Sequence, residues 1–115
     1  MIITNIYQSN SFFLNQLNLQ NEKTDYEYNE DTLIEYKVLS GKIKVISKKI
    51  DRRIHQQEYI RDYNNKRNID IDEYNIDETF IIYPNQAYQI ISENESLLLE
   101  IGLSSPKLAH VLVTA

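Results

Sequence analysis

Three side chains in this sequence have the clearest capacity for acid–base chemistry, namely two histidines and one carboxylate within an apolar segment. His55 lies in the polar stretch RRIHQQEY, which is typical of a solvated surface, and His110 lies in an apolar stretch where a half-buried structural role is expected. Glu100 interrupts the run LLLEIGL, so it must be paired or face a lumen or solvent. Strand alternation favours an outward edge position, or an ion pair between subunits, for Glu100. The absence of cysteine excludes thiolate catalysis and disulfides.

The composition is that of an ordinary folded protein with an acidic balance. With 115 residues, 42% of them hydrophobic and 25% charged, the chain is expected to form one domain over residues 1–115. A net charge of −5 argues against a nucleic-acid partner. The amino terminus lacks a basic region followed by a long apolar core, and no stretch approaches the ~20 apolar residues that span a bilayer. We therefore expect no membrane association and a cytoplasmic location.

A cluster of basic residues lies between positions 42 and 53. It comprises Lys42, Lys44, Lys48, Lys49, Arg52 and Arg53. Acidic residues flank it in sequence on both sides, so neighbouring strands would let the charges pair across a sheet. The favoured interpretation is a solvated surface, and the alternative is a patch for an anionic ligand.

Alternating apolar and polar residues predict strands in much of the chain. Residues 33–39 (LIEYKVL) and 42–47 (KIKVIS) each alternate with a period of two, and Ser40-Gly41 between them predicts a hairpin turn. Residues 79–83 and 87–91 are predicted strands joined by a Pro84-Asn85 turn, and residues 97–103 form a buried strand.

Two segments leave alternatives open. Residues 50–63 fit either a helix or an edge strand, because their isoleucines are compatible with both periods. Residues 104–115 begin with Ser105-Pro106, which has the form of a helix N-cap, but HVLVTA is also typical of a final strand. No segment sustains a helical period beyond about three turns, so seven or more short strands predict an all-β sandwich or barrel.

Residues 35–46 (EYKVLSGKIKVI) resemble the first conserved motif of the cupin family, which are double-stranded β-helix or jelly-roll barrels. When the final glycine of that motif is placed on Gly41, the position of its glutamate holds Ile34. Its two histidine positions fall on one of two pairs, Tyr28 and Glu30 or Glu27 and Asn29.

Residues 77–88 (DETFIIYPNQAY) resemble the second motif of the same family. The first glycine of that motif falls on Asp77, its Pro-x-Gly turn on residues 83–85, and its histidine on Tyr88. The resemblance covers roughly residues 25–103 and implies an all-β, cupin-like jelly-roll barrel.

The family's metal ligands are imidazole nitrogens and one carboxylate, and this sequence does not supply them at the aligned positions. Isoleucine offers no donor atom, and a neutral tyrosine is a poor ligand because its pKa is near 10. We therefore expect no metal and no cofactor.

The resemblance also implies a pocket at an open end of the barrel, which inward side chains of the motif strands would line. The implied ligand-binding residues are Tyr28, Glu30, Tyr36 and Tyr88, with Gln86 at the rim. The favoured hypothesis is a metal-free protein that binds a sugar, a nucleotide-sugar or a similar small molecule without catalysis, or that senses it.

Two other functions remain open. The first is a metal-independent sugar-nucleotide epimerase or isomerase, in which Glu30 or His55 would act with Tyr88 or Tyr36. The second is a dimeric structural or interaction module with a plugged barrel. A homodimer is expected in either case from the resemblance, and residues 2–7 (IITNIY) have the alternation of a strand that could reach a partner.

Overall fold

The computed structural model describes residues 1–49 and 69–103. These residues form eight β-strands: β1 (Ile2–Gln8), β2 (Phe12–Lys23), β3 (Glu27–Asn29), β4 (Leu33–Ser40), β5 (Ile43–Lys49), β6 (Asp70–Tyr74), β7 (Thr79–Ile82) and β8 (Gln86–Leu103). No helix long and apolar enough to cross a membrane occurs within them. The expected all-β architecture is confirmed.

Strand β8 is the central strand of the fold, because four other strands pair along its two edges. On one edge it pairs with β2 over residues 91–103 and with β3 over residues 86–88. On the other edge it pairs with β4 over residues 97–103 and with β5 over residues 86–91. Strands β1, β7 and β6 then add to the outer edges of β2, β4 and β5 respectively. The described sheet does not close on itself.

Two strand predictions require correction. Strands β4 and β5 do not form a hairpin with each other, because both pair with β8 and lie one after the other along it. Residues 87–91 and 97–103, predicted as separate strands, belong to the single 18-residue strand β8. The partner strands β2 and β4 both show register irregularities opposite residues 92–98, where β8 passes from one group of neighbours to the next. Local turn chemistry could not reveal this, since pairing with β8 is a long-range interaction.

The alternatives for residues 50–63 and 104–115 lie outside the described residues, as do His55 and His110.

Backbone geometry supports the alignment with the cupin motifs. The three positions that correspond to motif glycines all have left-handed backbone, with φ of 80° at Gly41, 70° at Asp77 and 69° at Asn85. Aspartate and asparagine are the non-glycine residues that tolerate this region best. The chain has therefore kept the turns of the motifs while two of their glycines are replaced.

The core is formed by apolar side chains that alternate inward along the strands, together with two tyrosines. It contains Leu17, Leu19, Ile34, Tyr36, Val38, Ile43, Val45, Phe80, Ile82, Tyr88, Ile90 and Leu98. The ring of Tyr36 is stacked on Phe80, with centroids 4.9 Å apart. The predicted inward residues of β4 (Ile34, Tyr36 and Val38) are all buried.

Part of the basic cluster pairs with acidic residues, as the solvated-surface interpretation predicts. Lys42 Nζ lies 3.2 Å from Glu73 Oε2 across β5 and β6, and both side chains are more than half exposed. Such a pair contributes little to stability, so it indicates an ordinary solvated surface at this point. The interpretation is wrong for Lys48 of the same cluster, which is buried.

We predict that Gly41→Ala lowers the free energy of unfolding by about 2 kcal/mol. A Cβ at Gly41 would be held in left-handed backbone and would collide with the carbonyl of Glu95 and with Ser96. Urea unfolding measures the change. Asp77→Gly is the control, since it relieves left-handed strain at an exposed turn and should be near neutral. A Gly41→Ala protein as stable as the unaltered chain would show that β8 does not constrain this corner.

Candidate functional site

A cavity of about 370 Å³ lies on the inner face of the sheet. Its apolar walls include Ile3, Phe13, Leu17, Ile34 and Ile90. Its polar lining includes Asn15, Thr24, Glu27, Tyr36, Tyr88 and Glu100. The volume is within the range of small-molecule sites, and an apolar chamber with a few polar groups is typical of them.

Strand register places three of the polar side chains in one row. Asn15 on β2 and Tyr36 on β4 are the direct cross-strand neighbours of Glu100 on β8. Residues opposite each other on adjacent strands project on the same face, so their side chains meet. Asn15 Nδ2 donates to Glu100 Oε1 at 3.0 Å, and the Tyr36 hydroxyl donates to Glu100 Oε2 at 2.6 Å. Asn5 on β1 extends the row, donating to Asn15 Oδ1 at 2.8 Å.

A second cross-strand pair continues the polar cluster. Glu27 on β3 lies opposite Tyr88 near the start of β8. The Tyr88 hydroxyl is 3.2 Å from the Tyr36 hydroxyl and 3.5 Å from Glu27 Oε2. The longer distance is at the limit of a hydrogen bond. Two phenols therefore lie between two carboxylates along one side of the cavity.

Both phenols are held in the neutral form. Burial raises the pKa of Tyr88 to about 12 against the opposing effect of its hydrogen bond with Tyr36, and the Glu27 and Glu100 charges add to the rise. Burial, together with Tyr88 and Glu100, raises the pKa of Tyr36 well above its usual value. A buried phenolate beside carboxylates is disfavoured by both desolvation and charge repulsion. At neutral pH the two hydroxyls therefore act as hydrogen-bonding groups.

The structure places only two of the five proposed ligand-binding residues on this cavity, Tyr36 and Tyr88. The side chain of Tyr28 is turned away, 41% exposed, and its hydroxyl donates to Asn85 Oδ1. Glu30 is exposed in the bend after β3. Gln86 Oε1 accepts a hydrogen bond from the backbone nitrogen of Tyr83 and is outside the cavity lining.

Tyr28 and Glu30 lie outside the cavity because it is the alternate residues of this segment that face inward. Of the two alignments with the first motif, Glu27 and Asn29 is the pair that points inward. Glu27 lines the cavity and is exposed to solvent at the same time, and Asn29 is buried, with hydrogen bonds to the carbonyl of Tyr83 and to Thr32. A shift of one residue moves every side chain of a strand to the other face. The short β3 has no apolar alternation that would show from the sequence which of its side chains face inward.

The favoured outward position of Glu100 is wrong. Its carboxylate lines the cavity and is hydrogen-bonded to Asn15 and Tyr36. Its position within an apolar run could have predicted this, since a carboxylate in such a segment needs hydrogen-bond partners. No comparable signal marks Asn15, which lies in a stretch rich in asparagine and glutamine.

The donor atoms at the motif positions do not fit a transition metal. Glu27 supplies a single carboxylate, and Ile34 has no donor atom. Tyr88 is a phenol whose pKa is raised to about 12, and Asn29 uses its side chain to hold the backbone. Within residues 1–49 and 69–103, no three or more histidine, aspartate or glutamate side chains come together as a metal-binding group.

Comparison with known proteins gives the class of the fold. No family model matches the chain, and no curated protein matches it. The cupin domain of Schizosaccharomyces pombe Cnp3 is similar, with a TM-score of 0.68 and 12% identity over 95% of this chain and 64% of that one. A cupin superfamily protein from Desulfitobacterium hafniense has a TM-score of 0.63 and 12% identity over 89% and 75% of the two chains.

An enzyme is among the similar structures. Hydroquinone 1,2-dioxygenase from Sphingomonas, with 4-hydroxybenzoate bound, has a TM-score of 0.62 and 10% identity over 85% of this chain and 62% of that one. The chain thus spans less than two thirds of both the dioxygenase and the Cnp3 domain. At these identities the likeness concerns the fold alone, and the fold is that of a small cupin-like jelly roll.

We predict that the unfolding free energy falls between pH 10 and pH 12, partly through Tyr88. Its pKa is near 10 when unfolded and about 12 when folded, so the folded protein binds more protons in this window. The associated stability is fully present below pH 10 and is lost as the pH rises. It amounts to about 3 kcal/mol. Urea unfolding at several pH values should show a shallower fall for Tyr88→Phe.

Tyr83→Phe is the control for this experiment, because the Tyr83 side chain is 54% exposed. It should reproduce the pH dependence of the unaltered protein. An equal fall in Tyr88→Phe and the unaltered chain would contradict the burial of the Tyr88 hydroxyl.

Proposed function

We propose that this protein binds a small polar molecule in the cavity without transforming it. The observation that carries the proposal is the hydrogen-bonded cluster of Glu100, Tyr36 and Tyr88 beside a chamber of about 370 Å³. Such a polar cluster orients a ligand, and the apolar walls provide area for affinity. A plugged barrel is less well supported, since a chamber of this volume remains between the inward side chains.

The side chains of the cluster are preorganised, since hydrogen bonds and ring stacking fix them in the absence of a ligand. Asn15 and Tyr36 hold the Glu100 carboxylate from two sides, and Phe80 stacks against Tyr36. Fixed side chains reduce the entropy lost on binding, which favours affinity. Hydroxyl-rich molecules such as sugars fit this chemistry, because carboxylates accept their hydrogen bonds and phenols can donate or accept.

A metal-independent isomerase is the second candidate, and the contact between Glu100 and Tyr36 favours it. Their oxygens are 2.6 Å apart, within the reach needed for proton transfer. Two observations rank it below binding. The acid and base would lie side by side on adjacent strands rather than on opposite sides of a substrate, and the raised pKa of Tyr36 makes the phenol a weak acid.

We predict that Ile3→Trp abolishes retention of a small molecule by the cavity. Ile3 lines the cavity, yet its side chain is 56% exposed on β1, so an indole there narrows the entrance without disturbing the core. Native mass spectrometry of protein purified under mild conditions should show a retained small molecule in the unaltered chain and none in the variant.

Ile2→Trp is the matched control, because Ile2 is the adjacent residue of β1, is 65% exposed and is outside the cavity lining. It should retain the molecule as the unaltered chain does. Equal occupancy in all three proteins, or none in any of them, would contradict binding in this cavity.

We also propose that the protein forms a homodimer through β1. Within the described residues β1 pairs only with β2, so its outer edge is open. Five apolar side chains of this strand and its start are at least half exposed: Met1, Ile2, Ile3, Ile6 and Tyr7. No charged side chain occurs between residues 2 and 21 to discourage edge pairing. A second copy would cover this apolar edge.

We predict that replacing Ile2 and Ile6 together by lysine dissociates the dimer. Four added charges would face each other across the two-fold axis, where like charges are unfavourable. Sedimentation analysis at micromolar concentration should give the mass of one chain. The double lysine variant of Ile71 and Ile76, which are 62% and 55% exposed, is the control and should remain dimeric. A monomeric unaltered protein, or dissociation only by the control, would overturn the β1 interface.

A further inference from the structure

The charged side chains of the cavity lining are of one sign. Glu27 and Glu100 supply two carboxylates to the lining, which contains no lysine, arginine or histidine side chain within the described part of the chain. The amino group of Met1, which is also a lining residue, forms an ion pair with Glu22 outside the cavity. Carboxylates in a chamber with apolar walls raise the local concentration of cations and disfavour anions.

We propose that the ligand is a small organic cation with an ammonium group and an apolar body. This inference rests on the proposed function and names the class of molecule bound in the same cavity. The ammonium group is placed against Glu100 and the two tyrosine hydroxyls, and the body lies against the apolar walls.

Glu100 has free capacity to accept hydrogen bonds from such a group. Each of its oxygens accepts one hydrogen bond from the protein, from Asn15 Nδ2 and from the Tyr36 hydroxyl. A carboxylate oxygen has two lone pairs, so each oxygen can accept one more. An ammonium group carries up to three N–H donors, and a charge-assisted hydrogen bond to a carboxylate is stronger than a neutral one.

The rest of the lining suits an apolar body of limited size. Phe13, Leu17, Ile34 and Ile90 form its walls, and the volume of about 370 Å³ admits a compact ring or branched chain. Tyrosine and phenylalanine rings also attract cations that lie over their faces.

Other charged ligands fit less well. The diphosphate of a nucleotide-sugar would place two or more negative charges beside two carboxylates, and repulsion would oppose its binding. A bare metal ion needs several donors around one point, whereas the two carboxylates are separated here by two phenols. An organic cation is therefore a different class of ligand from the sugars and nucleotide-sugars expected from the sequence, and the two carboxylates of the lining favour it.

A set of three probes of nearly equal size tests the proposal, namely benzylamine, benzyl alcohol and benzoate, which are cationic, neutral and anionic at neutral pH. Isothermal titration calorimetry should show benzylamine as the tightest of the three. Glu100→Gln should weaken benzylamine binding by about tenfold and change benzyl alcohol binding by less than twofold. Added salt should weaken only the benzylamine interaction.

Glu35→Gln is the matched control, because Glu35 is an exposed neighbour of Tyr36 on β4 and the substitution removes the same charge from the whole protein. It should leave benzylamine affinity unchanged, which separates the cavity carboxylate from overall charge. Equal loss in both variants would overturn the proposal, as would benzyl alcohol or benzoate binding as tightly as benzylamine, or no benzylamine binding at millimolar concentration.

These outcomes are distinguishable from failure of the proposed function. If benzyl alcohol or benzoate binds best and Ile3→Trp blocks it, small-molecule binding in the cavity stands and the cation preference is wrong. If Ile3→Trp leaves benzylamine binding intact, the cation is bound elsewhere, and both the proposed binding function and the cation preference are wrong for this cavity.

Discussion

The pairing of β8 along both of its edges is the constraint on which the rest of the structure depends. Four strands take their register from this one 18-residue segment, so every inward side chain is positioned relative to it. Two residues of the candidate site, Tyr88 and Glu100, lie on this strand. Partners on β2, β3 and β4 complete the site from both sides. A disturbance of β8 would therefore alter the core and the cavity together.

A carboxylate placed on a mainly apolar strand has an energetic cost that its neighbours must offset. Glu100 meets this requirement through Asn15 and Tyr36, its direct cross-strand neighbours. The same hydrogen bonds that compensate for desolvation also fix the orientation of the carboxylate toward the cavity. In the proposed binding function, stability and recognition therefore share one set of contacts.

This chain matches the cupin pattern in the geometry of its turns but not in the residues at the metal-ligand positions. Left-handed backbone is kept at Gly41, Asp77 and Asn85, because the turns determine how the strands cross. At the positions that align with metal ligands, Ile34 packs in the core, Asn29 holds the backbone and Tyr88 forms hydrogen bonds, so Glu27 is the one carboxylate among them. A fold can retain its geometry while its chemistry changes, since function depends on the particular side chains placed on it.

The sequence by itself determined strands β4, β5 and β7, the two ends of β8, the inward face of β4 and the absence of histidine at the motif positions, because alternation and donor chemistry are local properties. The resemblance to the cupin motifs implied that Tyr36 and Tyr88 line one pocket, and both line the cavity. Only the tertiary structure decided that β4 and β5 pair with β8 instead of each other, that Glu27 rather than Tyr28 faces inward, and that Glu100 points into the cavity. Each of these depends on the register between strands distant in sequence. A strand's own residues do not specify which of its side chains face inward when two registers one residue apart fit its apolar pattern equally well.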